Sequence, residues 1–194
     1  MALRPAVFLD KDGTLLQDVP YNVEPRLMKF APQAAAALHV LGRLGMPLVV
    51  VSNQPGVARG CFEHARLRGV TNRLHEMFAA NGARLSGCYW CPHHPQGTVA
   101  EYARDCDCRK PAPGLLLTAA RELGLDLSRS WFIGDILDDV EAGHRAGCQS
   151  ILVDNGGETE WRQDCAARVP DAIADDLHDA ALHIASALYR GQAA

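Results

Sequence analysis

The chain has 194 residues, 48% hydrophobic and 22% charged, with a formal net charge of −4. That length is enough for one domain with a proper core, and the negative balance disfavours a nucleic-acid surface. An anionic ligand would have to be held by a local cluster of cations, because the overall field does not attract it.

No apolar run reaches the ~18–20 residues needed to cross a bilayer. The N-terminal MALRPAVFLD runs straight into charged DKDG, unlike a secretory signal. The expectation is a cytoplasmic protein with no membrane and no nucleic-acid partner, built as a single domain over 1–194. Seven cysteines, Cys61, Cys88, Cys91, Cys106, Cys108, Cys148 and Cys165, are an odd set for a disulfide framework.

Strand and helix patterns alternate along the chain. Residues 5–10 (PAVFLD) read as a short apolar strand ending in a carboxylate. Over 33–44, Ala34, Ala37, Leu38, Leu41 and Leu44 recur at helical spacing, with Gly45 as a C-terminal stop. Residues 46–53 (MPLVVVSN) are a Val-rich strand of the kind buried on both faces. Leu67, Val70, Leu74, Met77 and Phe78 form one helical stripe within 63–81. Residues 84–91 read as a third strand, followed by a Pro-, His- and Cys-rich loop to about Pro113.

A helix over 114–123, a strand over 130–135 ending in Gly-Asp, a helix over 136–146 stopped by Gly147 and a strand over 148–154 complete the alternation. Ile173, Leu177, Ala180, Ile184 and Leu188 read as one stripe of an amphipathic last helix. The implied fold is α/β, a doubly wound parallel sheet with helices on both faces. In such sheets ligands bind beyond the carboxyl ends of the strands. Asp10, Ser52-Asn53 and Asp135 all stand at such ends, so clusters remote in sequence should meet at one edge.

Five motifs carry chemistry. In FLDKDGTL, Asp10 can attack phosphorus to form an aspartyl-phosphate, while Asp12 gives a proton to the leaving oxygen and then takes one from water. Asp-Gly on its own makes only a turn; the apolar strand in front and Thr-Leu behind give the motif its weight. Gly13 permits a sharp turn, and Mg²⁺ would remove the repulsion between a carboxylate and a phosphate dianion.

In VVVSNQPGVARG, Ser52 and Asn53 can donate to a phosphoryl group, and Arg59 lies where it can reach substrate oxygens or simply be solvated. In CRKP, Lys110 can neutralise nucleophile and phosphate together, and Arg109 can grip phosphate bidentately. In FIGDILDDVEAG, a Gly-Asp at a strand end followed by more acids suits a divalent cation: Asp135 reads as the direct ligand, Asp139 as a further acid or a helix N-terminal residue, and Asp138 as a helix N-terminal residue. The fifth motif pairs Cys91-x-His with Cys106-x-Cys108, three thiolates and an imidazole that satisfy tetrahedral Zn²⁺ with no open position. Chemistry alone leaves His93 and His94 equivalent. The remaining cysteines read as ordinary thiols.

These motifs, in this order from about residue 5 to about 160, resemble the haloacid dehalogenase superfamily of phosphatases. Within it they resemble the small-cap subgroup that acts on heptose bisphosphates and on histidinol phosphate. The resemblance implies an Asp10 nucleophile, an Asp12 general acid/base, phosphate contacts from Ser52, Asn53 and Lys110, and Mg²⁺ held by Asp10, the Asp12 carbonyl and Asp135. It implies a zinc loop on Cys91, His93, Cys106 and Cys108 in place of a large cap, favouring His93 over His94.

The segments VSNQPGVARG, CPHHPQG and CDCRKPAPG read most like the heptose bisphosphate members, in which Arg59 and Arg109 would recognise the sugar and its second phosphate. Relatives often carry lysine after the Gly-Asp of the fourth motif; here Ile136 stands there. The expected protein is a monomeric phosphomonoesterase of carbohydrate metabolism acting on a small sugar phosphate. Histidinol phosphate or another small phosphomonoester is the alternative substrate. Two further readings are a receiver-like domain that stores its aspartyl-phosphate and a zinc-loop binding module with a dead site. Asp12 beside Asp10 argues for discharge, and the full set of acids with Lys110 argues against a dead site.

Overall fold

The computed structural model describes residues 2–192. Six parallel strands form one sheet: β1 (Val7–Leu9), β2 (Leu48–Asn53), β3 (Leu85–Cys91), β4 (Trp131–Gly134), β5 (Gln149–Val153) and β6 (Ala172–Ala174). Five helices cover it: α1 (Ala34–Arg43), α2 (Leu67–Ala80), α3 (Gly114–Leu123), α4 (Leu137–Ala146) and α5 (Leu177–Gln192). Strand order is β3-β2-β1-β4-β5-β6. The chain winds outward from β1 through β2 to β3, then returns to the other side of β1 with β4. The direction of winding therefore reverses at β1, and such sheets bind ligands at that point, beyond the carboxyl ends of β1 and β4.

The layering follows from side-chain alternation along the strands. Val7, Leu9, Leu48, Val50, Trp131 and Ile133 face α1, α2 and α5, and pack with Leu38, Leu74, Phe78 and Ile184. Ala6, Phe8, Val49, Val51 and Phe132 face the opposite layer with Leu115, Leu116 and Ala142 of α3 and α4. Strands apolar on both sides can be satisfied only between two helical layers, and this is why VVV and VFL runs appear without polar alternation. Register fixes the edge: Leu9 pairs with Val50 and with Ile133, so Asp10 and Asp135 leave adjacent strands at similar heights.

The parallel α/β fold is the one the sequence predicts, with one correction near its end. Ile173 belongs to a sixth, short strand, β6, and not to the last helix, which starts at Leu177. Ile173 is over half exposed, so it contributes nothing to the stripe that Leu177, Ala180 and Ile184 bury. Its fit to the helical period is accidental: 173 precedes 177 by one turn, but Asp175-Asp176 intervenes as the break before α5. Where a large cap would interrupt the sheet, the described residues hold the segment 10–33, with one 3-10 turn at Pro25–Leu27, and the loops 54–63 and 92–113.

Candidate active site

Asp10 follows β1 directly, its N–H donating to the Ile133 carbonyl (2.9 Å). The chain then turns sharply at Gly13, whose φ of 86° is left-handed. A Cβ at Gly13 would stand 2.1 Å from Asp135 Oδ2, so glycine is required by space as well as by backbone. Thr14 Oγ1 donates to Asp135 Oδ1 (3.0 Å), joining the β1 turn to the β4 end.

Lys110 reaches the same point from the loop before α3. Its buried ammonium donates to Asp10 Oδ1 and to Asp139 Oδ1, both at 2.5 Å, and lies 5.5 Å from the Phe132 ring centroid. Its backbone is held from β2: Asn53 Nδ2 donates to the Lys110 carbonyl (3.1 Å), and the Lys110 N–H donates to Asn53 Oδ1 (3.0 Å). Asn53 thus uses both ends of its amide to set the lysine, leaving one N–H for another acceptor. Gln54 Nε2 donates to Asp12 Oδ2 and to Ser52 Oγ, each at 3.0 Å.

Asp10, Asp135 and Asp139 are buried, with carboxylate oxygens mutually within 4.8 Å. Three carboxylates face one ammonium, an arrangement short of positive charge by about one divalent cation. Their titration reflects that shortage. Burial, first, pushes the Asp10 carboxyl well up; Lys110 opposes this, and the Asp139, Asp135 and Asp12 charges add to it. Asp135 rises to about 7, by burial and then by repulsion from Asp139. Lys110 is raised by Asp10 and Asp139 against the opposing effect of its burial, so it stays charged.

At the rim, Arg59 donates to Tyr21 Oη (2.5 Å), packs its guanidinium 5.9 Å from that ring's centroid and lies 3.3 Å from His94 Nε2. Burial, then the Arg109 and Arg59 charges, lowers His94. Arg109 carries a buried Nη1 with no hydrogen-bond partner. The loop after β5 closes the other side. Asn155 Nδ2 donates to the Gly13 carbonyl (2.6 Å), and Glu158 Oε2 accepts from the Leu137 N–H at the start of α4 (2.7 Å). Gly157 packs so closely that a Cβ would lie 2.3 Å from Asp135 Oδ2.

A second cluster lies on the 92–113 loop. Sγ of Cys91, Cys106 and Cys108 and Nδ1 of His93 are within 4.8 Å of one another, with contacts of 3.2–3.8 Å. Metal–sulfur bonds about 2.3 Å long give a tetrahedron with edges of about 3.8 Å, so a small outward movement of these four donors would let them hold a metal. His94 turns away: its Nδ1 accepts from the Gln96 N–H (3.1 Å). All seven cysteines are free, and burial raises Cys88 and Cys148 to about 12, which makes them inert thiols.

The sequence-predicted residues Asp10, Asp12, Ser52, Asn53, Lys110 and Asp135 come together at one edge, with Arg59 and Arg109 beside His94 at the rim. Gln54 and Asp139 stand in motifs the sequence singled out, without the contacts they make here; four further contributors were missed: Lys11, Tyr21, Asn155 and Glu158. For Asp139 the signal was its place in the first turn of α4, just past the strand-end Asp135, which itself precedes the helix. It also accepts from the Ile136 N–H (3.4 Å), so its helix-terminal role and its Lys110 contact coexist. The four missed residues are placed by loops whose course no periodicity reveals.

A parallel sheet presenting paired carboxylates and a buried lysine beyond β1 and β4 defines a class of hydrolases, and the comparisons agree. The model of the HAD-hydrolase-like family matches residues 107–180. D-glycero-β-D-manno-heptose-1,7-bisphosphate 7-phosphatase of Yersinia pestis is 39% identical over 178 residues, covering 87% of this chain and 95% of its own. The enzyme of the same name from Escherichia coli K12 is 39% identical over 87% of this chain and 93% of its own. The crystal structure of D,D-heptose 1,7-bisphosphate phosphatase from B. bronchiseptica, complexed with magnesium and phosphate, superposes with a TM-score of 0.76 at 29% identity, covering 94% of this chain and 98% of that one. The chain belongs to the HAD-like hydrolases, in the family that these phosphatases form. No helix among the described residues is long and apolar enough to cross a membrane.

Proposed function

We propose that the protein releases the 7-phosphate of D-glycero-D-manno-heptose 1,7-bisphosphate, with Asp10 as a covalent nucleophile. The observation that carries this reading is the Lys110 ammonium bridging Asp10 and Asp139, with Asp135 in the same cluster. An Asp10 oxygen attacks phosphorus and the bond to the sugar oxygen breaks, while Asp12 protonates that leaving oxygen. Water then attacks the aspartyl-phosphate and gives its proton to Asp12; inorganic phosphate leaves and the Asp10 carboxylate is restored.

Lys110, the Ser52 hydroxyl and the remaining Asn53 N–H serve the phosphoryl oxygens, where charge accumulates during transfer. The donor set fits Mg²⁺ on Asp10, Asp135 and the Asp12 carbonyl: three buried carboxylates exceed one ammonium, and oxygen ligands suit that ion. When bound, Mg²⁺ supplies the positive charge that lets a carboxylate meet a phosphate dianion. Arg59, Arg109 and Tyr21 at the rim suit the sugar and a second phosphate, and the unpartnered Arg109 Nη1 is available to an anion.

We read Cys91, His93, Cys106 and Cys108 as a structural Zn²⁺ site that ties down the 92–113 loop. One chain supplies every residue of the site, so the reading is of a monomeric, single-domain enzyme. Its free thiols suit the reducing cytoplasm. The test is phosphate release from heptose 1,7-bisphosphate and from histidinol phosphate at equal Mg²⁺. The expected kcat/KM is at least about tenfold higher for the bisphosphate, or ~1.4 kcal/mol of transition-state binding. No release from the bisphosphate, or the reverse preference, overturns the reading.

A further inference from the structure

We propose that Gln54 is the positioning residue of the general acid/base, fixing the Asp12 carboxylate to the end of β2. The inference rests on the proposed chemistry at Asp12 and adds to it a residue that itself touches no reacting atom.

Asp12 stands at the mouth of the site, its side chain 31% exposed, on a turn with no helix or strand to hold it. A carboxylate there would sample several rotamers. Two contacts remove that freedom. Lys11, whose side chain is almost fully buried, places its Nζ 2.5 Å from Asp12 Oδ1, its one hydrogen bond among the described residues. That bond anchors one oxygen and leaves the carboxylate free to swing about it.

Gln54 removes the swing. Its buried side chain directs Nε2 at Asp12 Oδ2 (3.0 Å) and at Ser52 Oγ (3.0 Å). An amide nitrogen carries two N–H groups, so one donates to each acceptor. Gln54 is itself fixed, because its backbone N–H donates to the Cys91 carbonyl (2.7 Å) where β2 and β3 end. The acid/base from the β1 turn is therefore held at a set distance from the hydroxyl of β2 that serves the phosphoryl group. A proton donor must lie within hydrogen-bond reach of the leaving oxygen, and a displacement of about 1 Å costs up to ~100-fold. A leucine or methionine at 54 would fill the same space and donate nothing.

The experiment compares wild-type enzyme with Gln54→Leu and Gln54→Met, using two substrates at saturating Mg²⁺. A sugar phosphate leaves as a poor alkoxide and needs protonation; 4-nitrophenyl phosphate leaves as a stable phenolate and does not. The kcat/KM value reports the steps up to formation of the aspartyl-phosphate. The expected loss is about 10–100-fold for the sugar phosphate and under about threefold for 4-nitrophenyl phosphate. A rapid-quench trace with 4-nitrophenyl phosphate should also show a burst in the variants, because water attack on the intermediate still needs Asp12 as base. Equal losses on the two substrates, or no loss on the sugar phosphate, would overturn the proposal, since a purely structural residue does not distinguish leaving groups. Circular dichroism and thermal unfolding check folding, and the longer methionine gives the readout if leucine packs badly. Failure of the parent reading looks different: wild-type protein would be inactive on both substrates, or Asp10→Asn would remain active.

Discussion

Raising the pH should tighten Mg²⁺ binding, and the size of the change can be worked from one carboxylate. Asp135 titrates near 7 without a cation because burial and the neighbouring Asp139 disfavour its charge. A cation ligand must be ionised, so the apparent dissociation constant scales as one plus the ratio of protonated to ionised Asp135. At pH 6 that factor is about 11 and at pH 8 about 1.1, so affinity should rise about tenfold, or ~1.4 kcal/mol. Asp10 is also raised, so tenfold is a floor.

The sign for stability is opposite. A carboxyl raised in the folded state favours the protonated form, so metal-free protein should lose a few kcal/mol as pH climbs from the ordinary carboxylate value of 3.8 to about 7. Isothermal titration with Mg²⁺ at pH 6 and 8 at constant ionic strength measures the first effect. Thermal unfolding in chelator measures the second. Asp135→Asn should reduce the pH dependence of Mg²⁺ binding to the part that Asp10 supplies. Equal affinities at the two pH values, or tighter binding at pH 6, would refute the reasoning.

Lys110→Met should leave Asp10 and Asp139 without their ammonium. At pH 8 without Mg²⁺ it should cost about 3–5 kcal/mol in urea unfolding and abolish turnover. Gly157→Ala should push Asp135 aside, since its Cβ would fall 2.3 Å from Oδ2; Mg²⁺ affinity should fall at least about tenfold in titration calorimetry, with little change in the circular dichroism spectrum. Cys106→Ser should remove one of four donors to the 92–113 cluster. Elemental analysis should then find about one zinc per wild-type chain and a clear loss in the variant, with a lower melting temperature preceding any loss of turnover per folded molecule.

The sheet was legible because burial on both faces forces uninterrupted apolar runs, and VFL, LVVVSN and WFIG could be little else. The site's main acids were legible for a related reason, as each sits one step past such a run. β6 was not: AIA is too short to carry a period, and Ile173 happened to fall in phase with α5. Gln54 and Asp139 fell inside legible motifs, but their roles stayed open because their sequence surroundings also suit a turn and a helix N-terminus. What sets their roles is contact with Asp12 and Lys110, residues brought near by sheet closure. The loop over 154–158 gave no sign of a role in the site; the close approach of Gly157, the Asn155 bond to Gly13 and the Glu158 bond to Leu137 tie it there.

Acid quench of the enzyme during turnover with heptose 1,7-bisphosphate and Mg²⁺, followed by peptide mass spectrometry, examines the covalent chemistry itself. A phosphoryl group on the peptide containing Asp10, labile to hydroxylamine and lost once the substrate is exhausted, is the outcome the structure predicts, with none in an inactive Asp10→Asn variant. Steady turnover by Asp10→Asn, or a phosphoryl group found only on another residue, would contradict it.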